Sequence, residues 1–332
     1  MKKKVGFNFL WMFSKYGDRK PAEINPYELD FVANEGFNFV RIPCDYRFWT
    51  KDFDYCHPDE EILSCIDTYI EECNKRGLHA CLNIHRAPGY CINWPEREKH
   101  NLWRDDEAFE GFRFLWELFT RRYAGISSEW LSFDLVNEPS NQPLTHPCTR
   151  ADHERVIRAT IDAIHAIDPE REIVIDGFDG GGTALPELAD VRAIHSGRGY
   201  FPMQVSHYKA DWVKAEFDKP QYPGEVTPGW HVDIQSLRDY YKPWKEVEAA
   251  GAKVHIGEFG CYNKIENDIA MRWLTDLITV FNENNWGYSL WNFEGTFGVV
   301  NHGRPGTVYE DYHGMKVDRP LLELLKSGLK KD

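Results

Sequence analysis

The chain has 332 residues, of which 42% are hydrophobic and 14% aromatic, so it can bury a large core within one domain. Its net charge of −14 argues against a nucleic-acid partner, because proteins that bind phosphate backbones need a basic face. No apolar stretch approaches the roughly 20 residues that a bilayer-spanning helix needs, so no membrane partner is expected either, and an uncharged substrate fits best.

The first residues, Met1–Lys4, resemble the basic start of a signal peptide, but the apolar run after them is short and contains Gly6 and Asn8. We therefore interpret this run as the first core strand. Eight cysteines without a C-x-x-C pair indicate reduced and mostly buried thiols. Together these features predict a cytoplasmic protein, or a secreted one if a native leader precedes this sequence, and they leave the oligomeric state open.

Short apolar runs alternate along the chain with longer segments of helical period, which is typical of parallel βαβ units. The runs that predict strands are Val5–Leu10, Phe37–Ile42, Ala80–Ile84, Leu131–Val136, Glu172–Ile175, Gln204–Ser206, Lys253–Ile256 and Gly287–Leu290. Helical spacing predicts helices at Asp59–Arg76 and Ala151–Ile167, the second with Thr149 and Asp152 as a capping pair.

Eight strands, each followed by a helix, predict a closed barrel rather than an open sheet. The expected fold class is α/β, a single (β/α)8 TIM barrel with long βα loops, formed by residues 1–332 as one domain. No G-x-G-x-x-G segment follows the first strand, which removes the main sequence reason to consider a dinucleotide fold.

Two glutamates stand at the ends of predicted strands. Glu138 lies within Leu135–Pro139 and Glu258 within Ile256–Gly260, each directly after an apolar run. Either residue alone is explained by capping of the following helix, because carboxylates are favoured at helix N-termini. A pair at the same end of a barrel is instead the minimum equipment for hydrolysing a glycosidic bond with retention, which predicts an enzyme.

Further polar and aromatic residues stand at the same ends of the predicted strands, namely Arg41, His85, Asn137, His207, Tyr208 and Trp291. With the two glutamates they form a pattern that resembles the active site of glycoside hydrolase family 5, the cellulase-like retaining β-glycosidases. The matching segments are VRIP at Val40–Pro43, NIH at Asn83–His85, VNEP at Val136–Pro139, GEFG at Gly257–Gly260 and LWN at Leu290–Asn292. They occur in the family's order over most of the chain.

The resemblance implies a separate catalytic role for each glutamate. Glu258 would attack the anomeric carbon and form a covalent glycosyl-enzyme. Glu138 would protonate the departing oxygen and then take a proton from water, which requires a raised pKa. For this retaining mechanism, the two carboxyl groups are expected to lie roughly 5–5.5 Å apart.

The resemblance also implies supporting roles for the other strand-end residues. Arg41 and Tyr208 would hold the nucleophile anionic through hydrogen bonds. Asn137 would bind the sugar 2-hydroxyl, a contact that strengthens in the transition state. Trp291 would provide the stacking floor for the reacting sugar, and His85 would contact a sugar hydroxyl or orient its neighbours.

One position departs from the family pattern. Many members place His and Tyr two residues apart on the sixth strand, so that both side chains point the same way. Here Ser206, His207 and Tyr208 are consecutive. Either a bulge re-aims His207, or Ser206 takes the usual His position while Tyr208 keeps its own. We expect Tyr208 in the site.

The loops after the third, sixth and eighth predicted strands are long and carry aromatic residues. On a (β/α)8 barrel such loops build the active-site face. Their aromatic side chains either stack on the apolar faces of sugar rings or pack the loops together, and the sequence leaves both possibilities open. The residues are Trp94, Trp103, Trp212, Trp230 and Phe297.

No catalytic metal and no cofactor are predicted. The sequence has no H-x-H on the first strand and no H-E-x-x-H, the spacings that metal-dependent hydrolases use. It also has no G-x-S-x-G segment, so a Ser-His-Asp hydrolase is unsupported.

The resemblance restricts the substrate to β-linked oligo- or polysaccharides, and β-1,4-linked gluco- or manno-configured chains are expected first. An exo-acting β-mannosidase or β-glucosidase, working on imported oligosaccharides or glycoconjugate cores, is the alternative. A non-catalytic carbohydrate-binding barrel is the alternative from another class. The intact pair Glu138 and Glu258 argues against it, because a binder needs no proton donor opposite a nucleophile.

Overall fold

The computed structural model describes residues 3–93, 97–141, 146–213 and 215–329. Its centre is a closed barrel of parallel strands, in the order β1, β10, β9, β6, β5, β4, β3 and β2. These strands are β1 Val5–Asn8, β2 Phe39–Asp45, β3 His79–Arg86, β4 Leu131–Asp134, β5 Glu172–Asp176, β6 Ile194–Gly199, β9 Lys253–Phe259 and β10 Gly287–Leu290. The predicted (β/α)8 barrel is confirmed.

Helices surround the barrel and cover its outer face. They are α1 Pro26–Asn34, α2 Glu60–Lys75, α3 Asp106–Arg122, α4 Arg150–Ile167, α5 Phe178–Gly181, α6 Met203–Ser206, α7 Ile234–Tyr240, α8 Lys242–Ala249, α9 Asn267–Glu283 and α10 Arg319–Lys326. Because helices and barrel interior cover both faces of the strands, nearly every strand residue is buried, which explains the continuous apolar runs in the sequence.

The two helices predicted by spacing are present with their expected ends. Asp59 caps α2 by accepting a hydrogen bond from the backbone of Glu61. Thr149 and Asp152 form the reciprocal capping box that begins α4. A cap of this kind satisfies backbone N–H groups that the first turn leaves unpaired, so it places the helix start firmly.

The predicted sixth strand is wrong. Gln204–Ser206 lies in the short helix α6, and the sixth barrel strand is β6, which pairs with β5 and β9. The sequence of β6 does not show the apolar run that predicts a strand, because it contains the buried Arg198 and two glycines. At Gly197, a Cβ atom would come within 3.2 Å of Ile256, so a close strand neighbour favours the glycine.

The short connection between β5 and β6 is a second reason why the sequence did not predict β6. In the described connection 177–193 from β5 to β6, the helical segments are the four-residue α5 and the 3-10 turn Pro186–Leu188. A full crossover helix would push the next strand further along the chain, which is where the apolar pattern placed it.

The long segment after β6 carries additional structure above the barrel. It contains the antiparallel hairpin of β7 Gly224–Thr227 and β8 Trp230–Val232. A second small hairpin, β11 Glu310–Tyr312 and β12 Met315–Val317, precedes α10. In the part of the chain that the structure describes, no helix combines the length and apolarity needed to cross a membrane.

Candidate active site

The barrel brings the two predicted catalytic glutamates to the same guanidinium group. Glu258 belongs to β9, and Glu138 follows the end of β4. Arg198 on β6 lies between them, with its Nε 2.9 Å from Glu138 Oε1 and its Nη2 3.3 Å from Glu258 Oε1. Parallel strands present their C-terminal ends at one rim, which is where barrels of this type hold their active sites.

Glu258 is almost completely enclosed and is held by cationic and phenolic donors. Arg41 Nη1 donates to its Oε1 at 2.5 Å, and the Tyr200 hydroxyl donates to its Oε2 at 3.1 Å. Charge-assisted hydrogen bonds of this type stabilise the negative charge of a carboxylate and fix its orientation. The predicted contact between Arg41 and Glu258 is therefore present.

Arg41 organises the floor of the site because each of its nitrogens has a partner. Its Nε donates to Asp134 at 2.6 Å, its Nη1 also donates to Asn8 Oδ1 at 3.0 Å, and its Nη2 donates to Asn137 Oδ1 at 2.9 Å. Asn8 in turn donates to the backbone carbonyl of Gly257, so β1 is tied to the nucleophile strand. This role of Asn8 was not predicted from the sequence.

Glu138 has a different environment from Glu258. Its backbone adopts a left-handed conformation, with a φ of 50°, and is held by two hydrogen bonds. Asp176 Oδ2 accepts from its N–H at 2.9 Å, and its carbonyl accepts from the Tyr90 hydroxyl at 2.7 Å. Burial and the nearby negative charge of Glu258 raise the pKa of Glu138 to about 7, although Arg198 opposes the shift.

Asn137 presents an unused hydrogen-bond donor in the site. Its Oδ1 accepts from Arg41 at 2.9 Å and from Arg198 at 2.8 Å, and two cationic donors on one atom determine which way the amide points. Its buried Nδ2 has no partner among the described residues. A buried donor without a partner is costly, so this group is suited to a substrate oxygen.

His85 and Trp291 form one aromatic wall. Their rings stack with centroids 5.4 Å apart, and Phe13 meets both rings edge-on, at 4.8 Å from His85 and 5.0 Å from Trp291. His85 is neutral, because burial and neighbouring arginines hold its pKa well below the usual value. Its Nδ1 lies 3.2 Å from Asn83 Oδ1, which orients the ring. Phe13 was not identified from the sequence.

The structure corrects the expected role of Tyr208. The hydrogen bond to Glu258 that the sequence assigned to Tyr208 is made by Tyr200, directly after β6. Tyr208 lies after α6, packed in the hydrophobic core. The physical reason is the displaced strand: residues 206–208 do not belong to the barrel, so neither a bulge nor a substitution by Ser206 explains the pattern.

His207 does not lie at the end of a barrel strand, where the sequence placed it. Instead, it packs against Tyr200. Its ring lies edge-on to the Tyr200 ring at 5.0 Å, and its Nδ1 is 2.9 Å from Ser206 Oγ. Ser206 Oγ donates to the carbonyl of Tyr200 at 2.5 Å. Both residues thus brace the loop that presents Tyr200.

Arg198 is the principal site residue that sequence reasoning missed. A signal was present: Arg198 and Tyr200 are two residues apart, the spacing at which many members of the family place His and Tyr. The arginine in place of histidine hid the match. Because residues two apart on a strand face the same side, Arg198 and Tyr200 both reach Glu258.

The predicted aromatic loop residues divide into two groups. Trp103 and Phe297 are buried and pack the loops together. Trp212 and Trp230 are 50% and 38% exposed, and each packs one side against a neighbouring ring, of Tyr262 and Phe201 respectively. Trp94 lies outside the described residues.

The arrangement offers a carboxylate held by cations, a second carboxyl group that carries a proton near neutral pH, and an unused amide donor. These are the groups that displacement at an acetal carbon requires. Among residues 3–93, 97–141, 146–213 and 215–329, no group of three or more His, Cys, Asp or Glu side chains is placed to hold a metal ion.

Comparison with known proteins finds the same architecture in sugar-cleaving enzymes. Residues 6–296 match the family described as Cellulase (glycosyl hydrolase family 5). A crystal structure of a glycoside hydrolase is 53% identical, with a TM-score of 0.95 over 98% of this chain and 99% of the other. Endoglucanase C of Acetivibrio thermocellus is 26% identical over 91% of this chain and 94% of its own length.

A more distant solved structure shares the fold. Thermotoga maritima Cel5A is 22% identical and covers 97% of each chain with a TM-score of 0.77, and it has been solved with cellobiose and with mannotriose.

Proposed function

Since the chain belongs to glycosyl hydrolase family 5 and is an O-glycosyl hydrolase, we propose that it cleaves β-1,4-linked gluco- or manno-configured oligo- and polysaccharides with retention. Glu258 is the nucleophile, Glu138 is the acid/base, and the whole chain acts as one catalytic domain. The observation that carries the proposal is the contrast between the two carboxyl groups. Glu258 is surrounded by donors, whereas the pKa of Glu138 is raised to about 7.

In the first step, Glu258 attacks the anomeric carbon while Glu138 gives its proton to the departing glycosidic oxygen. Arg41 and Tyr200 hold the attacking carboxylate so that one oxygen faces the sugar. The free Nδ2 of Asn137 donates to the 2-hydroxyl, and the wall of His85 and Trp291 supports the ring. The product is a glycosyl ester of Glu258.

In the second step, the ionised Glu138 takes a proton from water, and the water oxygen attacks the same carbon. The bond to Glu258 breaks, and the sugar leaves with its original anomeric configuration because the carbon has been inverted twice. The requirement that Glu138 serve as acid and then as base is met by a pKa close to neutrality.

The choice between glucose- and mannose-configured substrates rests on the loops rather than on the glutamates. The relatives named above include an endoglucanase, and Thermotoga maritima Cel5A has been solved with sugars of both configurations. A shared barrel is therefore compatible with either sugar. Internal cleavage of a chain is proposed first, and cleavage from a chain end is the alternative outcome of the test.

The test is product analysis by mass spectrometry and NMR with a panel of cello-, manno-, xyloglucan and N-glycan-core oligosaccharides. The wild-type protein is compared with Glu258→Gln and with Glu129→Gln, an exposed glutamate just ahead of β4 at the other end of the barrel. We expect one β-linked class to be cleaved, with the β-anomer formed first. Glu129→Gln should retain this activity and Glu258→Gln should lose it.

The product lengths distinguish internal from terminal cleavage, because terminal cleavage releases a single short product throughout the reaction. Initial formation of the α-anomer contradicts retention. Absence of cleavage across the panel places the substrate outside the β-1,4 set.

A further inference from the structure

We propose that Arg198, held by Asp176, is a positioning residue that fixes the Glu138 carboxyl group and favours its ionised form once Glu258 has become an ester, so that Glu138 can change from proton donor to proton acceptor between the two chemical steps. The inference rests on the proposed roles of Glu138 and Glu258. It is carried by the geometry of the arginine, which lies between the two carboxyl groups and touches both.

Arg198 has no conformational freedom in this position. It is 2% exposed, and all three nitrogens of its guanidinium donate. Its Nε donates to Glu138, its Nη1 donates to Asp176 Oδ1 at 3.0 Å and to Ser196 Oγ at 3.1 Å, and its Nη2 donates to Asn137 at 2.8 Å. A planar guanidinium with this many fixed partners can hold a carboxyl group in one orientation.

Asp176 connects the arginine to the backbone of the acid/base. One of its oxygens, Oδ2, accepts from Arg198 Nη2 and also from the N–H of Glu138 at 2.9 Å. The backbone and the side chain of Glu138 are therefore tied to one ion pair. Asp176 stands at the C-terminal end of β5, so three strands of the barrel are joined by this arrangement.

The surrounding chain leaves space for the arginine. A Cβ atom at Gly181 would collide with Arg198 Cγ, and one at Gly257 would come within 3.1 Å of its Nη1. Gly181 also has a φ of 76°, a conformation that other residues rarely adopt. The loop after β5 is thus shaped around this side chain, whereas Gly257 on the nucleophile strand leaves space for Ser196 Oγ as well as for Arg198.

The charged and titratable groups facing Glu138 act in opposite directions. Glu258 and Asp176 carry negative charge and oppose ionisation of Glu138, whereas Arg198 favours it. Among the described residues, the hydroxyl groups of Tyr90 and Tyr200 also face Glu138, and both stay protonated because burial holds their pKa values well above the usual range.

This balance changes during the reaction. When the C1–O bond to Glu258 forms and the glycosidic bond breaks, the proton of Glu138 moves to the leaving oxygen and Glu258 becomes a neutral ester. The negative charge that opposed ionisation of Glu138 is then gone, while Arg198 remains. The carboxylate of Glu138 is therefore favoured at the moment when it must accept a proton from water.

The test follows the ionisation of Glu138 directly and does not depend on knowing the substrate. Carboxyl groups of glutamate are labelled with ¹³C and titrated by NMR, and Glu138→Gln assigns the signal. Arg198→Gln should move the titration of Glu138 to higher pH by about one unit or more, because a stabilising cation is lost. Asp176→Asn should move it to lower pH, because an opposing anion is lost and the side chain remains able to accept from Glu138.

Activity provides the second readout. With aryl glycosides of good leaving ability, which do not need the proton donor, Arg198→Gln should slow the second step at neutral pH and lower kcat more than kcat/KM. Arg198→Lys, which keeps the charge, should restore part of the loss. Arg171→Gln removes a buried arginine from the other end of the barrel and should leave the titration of Glu138 unchanged.

Shifts of opposite sign in the Arg198→Gln and Asp176→Asn variants support the inference. Shifts of the same sign, or none, overturn it, since a merely structural role has no reason to produce opposite signs. If Arg198→Gln does not fold, Arg198→Lys should leave the titration of Glu138 close to that of the wild type while Asp176→Asn lowers it, and a rise or no change in Asp176→Asn overturns the inference. A wild-type protein without glycosidase activity would contradict the proposed function, whereas the NMR shifts would still test the influence of Arg198 and Asp176 on Glu138.

Discussion

The two ends of the barrel both bury arginine, but they pair it differently. At the N-terminal end of the strands, Arg171 donates mainly to backbone carbonyls, those of Leu131, Tyr123 and Ile126, and it also pairs with the partly exposed Asp168 three residues before it. At the C-terminal end, Arg41 and Arg198 donate mainly to side chains. Backbone carbonyls are present in any sequence, whereas the side-chain partners have to be supplied residue by residue.

The difference separates stability from chemistry. A guanidinium that donates to backbone carbonyls satisfies acceptors at the ends of secondary structure. These bonds bring no carboxyl group that could take part in a reaction. Donation to carboxyl groups keeps four acidic side chains and two arginines close together, out of water, which is expensive unless the site uses them. We therefore expect substitutions at the C-terminal end to alter turnover and substitutions at the N-terminal end to alter unfolding.

The largest expected effect belongs to Glu258. Glu258→Gln should lower kcat by several orders of magnitude, because the amide cannot form the covalent intermediate. Folding should be retained, since Arg41 keeps Asp134 and Arg198 keeps Asp176 as carboxyl partners. Circular dichroism and steady-state kinetics on the same preparation measure both.

A mechanism-based label sharpens this prediction. A 2-deoxy-2-fluoro glycoside with a good leaving group should add one sugar to the wild-type protein, and peptide mapping should place it on Glu258. Labelling of any other carboxylate contradicts the assignment.

Glu138→Ala should reduce kcat/KM on natural glycosides by roughly 10²–10⁴-fold, the usual contribution of general acid catalysis. The loss should be much smaller for aryl glycosides that leave without a proton. Added azide should accelerate the second step and yield a β-glycosyl azide, because the vacated space beside the ester admits a small anion. An α-glycosyl azide, or no acceleration, would place the acid/base elsewhere.

Asn137→Ala should lower kcat/KM by about 10²-fold, because its free Nδ2 is the donor available to the 2-hydroxyl. Comparison with a 2-deoxy substrate isolates that contact from the support that its Oδ1 gives to the arginines. The variant and the wild-type protein should differ far less on the 2-deoxy substrate. Equal losses on both substrates would assign Asn137 a purely structural role.

The pH dependence of kcat/KM tests the raised pKa of Glu138 without a mutation. The first step needs Glu138 protonated, and burial and the charge of Glu258 raise its pKa from 4.5 to about 7. The value of kcat/KM should therefore be preserved as pH approaches 7 from below and fall by about tenfold per pH unit above it. A decline that begins near the ordinary value of 4.5 would contradict the raised pKa.

Much of this end of the barrel was predictable from the sequence. Arg41 and Glu258 lie within barrel strands, and Asn137 and Glu138 follow β4, so all four belong to or directly follow the apolar runs that a buried strand requires. The fold followed from the same runs, because strands covered on both faces show continuous apolar sequence. Seven of the eight predicted strands overlap barrel strands for this reason.

The sixth strand could not be predicted by that rule, because its buried polar positions are stabilised by partners far away in the sequence. Arg198 is acceptable inside the barrel since Asp176 and Glu258 neutralise it, and a hydropathy pattern contains no information about such pairing. Because of this error, Tyr208 was predicted in the site, whereas the hydrogen bond to Glu258 is made by Tyr200. The spacing of Arg198 and Tyr200 was the remaining signal.

The smallest effect on turnover is expected at the other end of the barrel. Arg171→Gln leaves backbone carbonyls of buried residues without a donor, at a cost of about 1–3 kcal/mol for each group left unpaired. Thermal unfolding should therefore occur several degrees lower, whereas kcat/KM, measured well below the transition, should stay within about twofold of wild type.

The matched control is Arg192→Gln, an exposed arginine paired with Glu170, which should change stability by no more than about 0.5 kcal/mol. If Arg171→Gln lowered kcat/KM as strongly as Arg198→Gln, the two ends would be coupled through the strands, and the separation of stability from chemistry along the barrel axis would have to be abandoned.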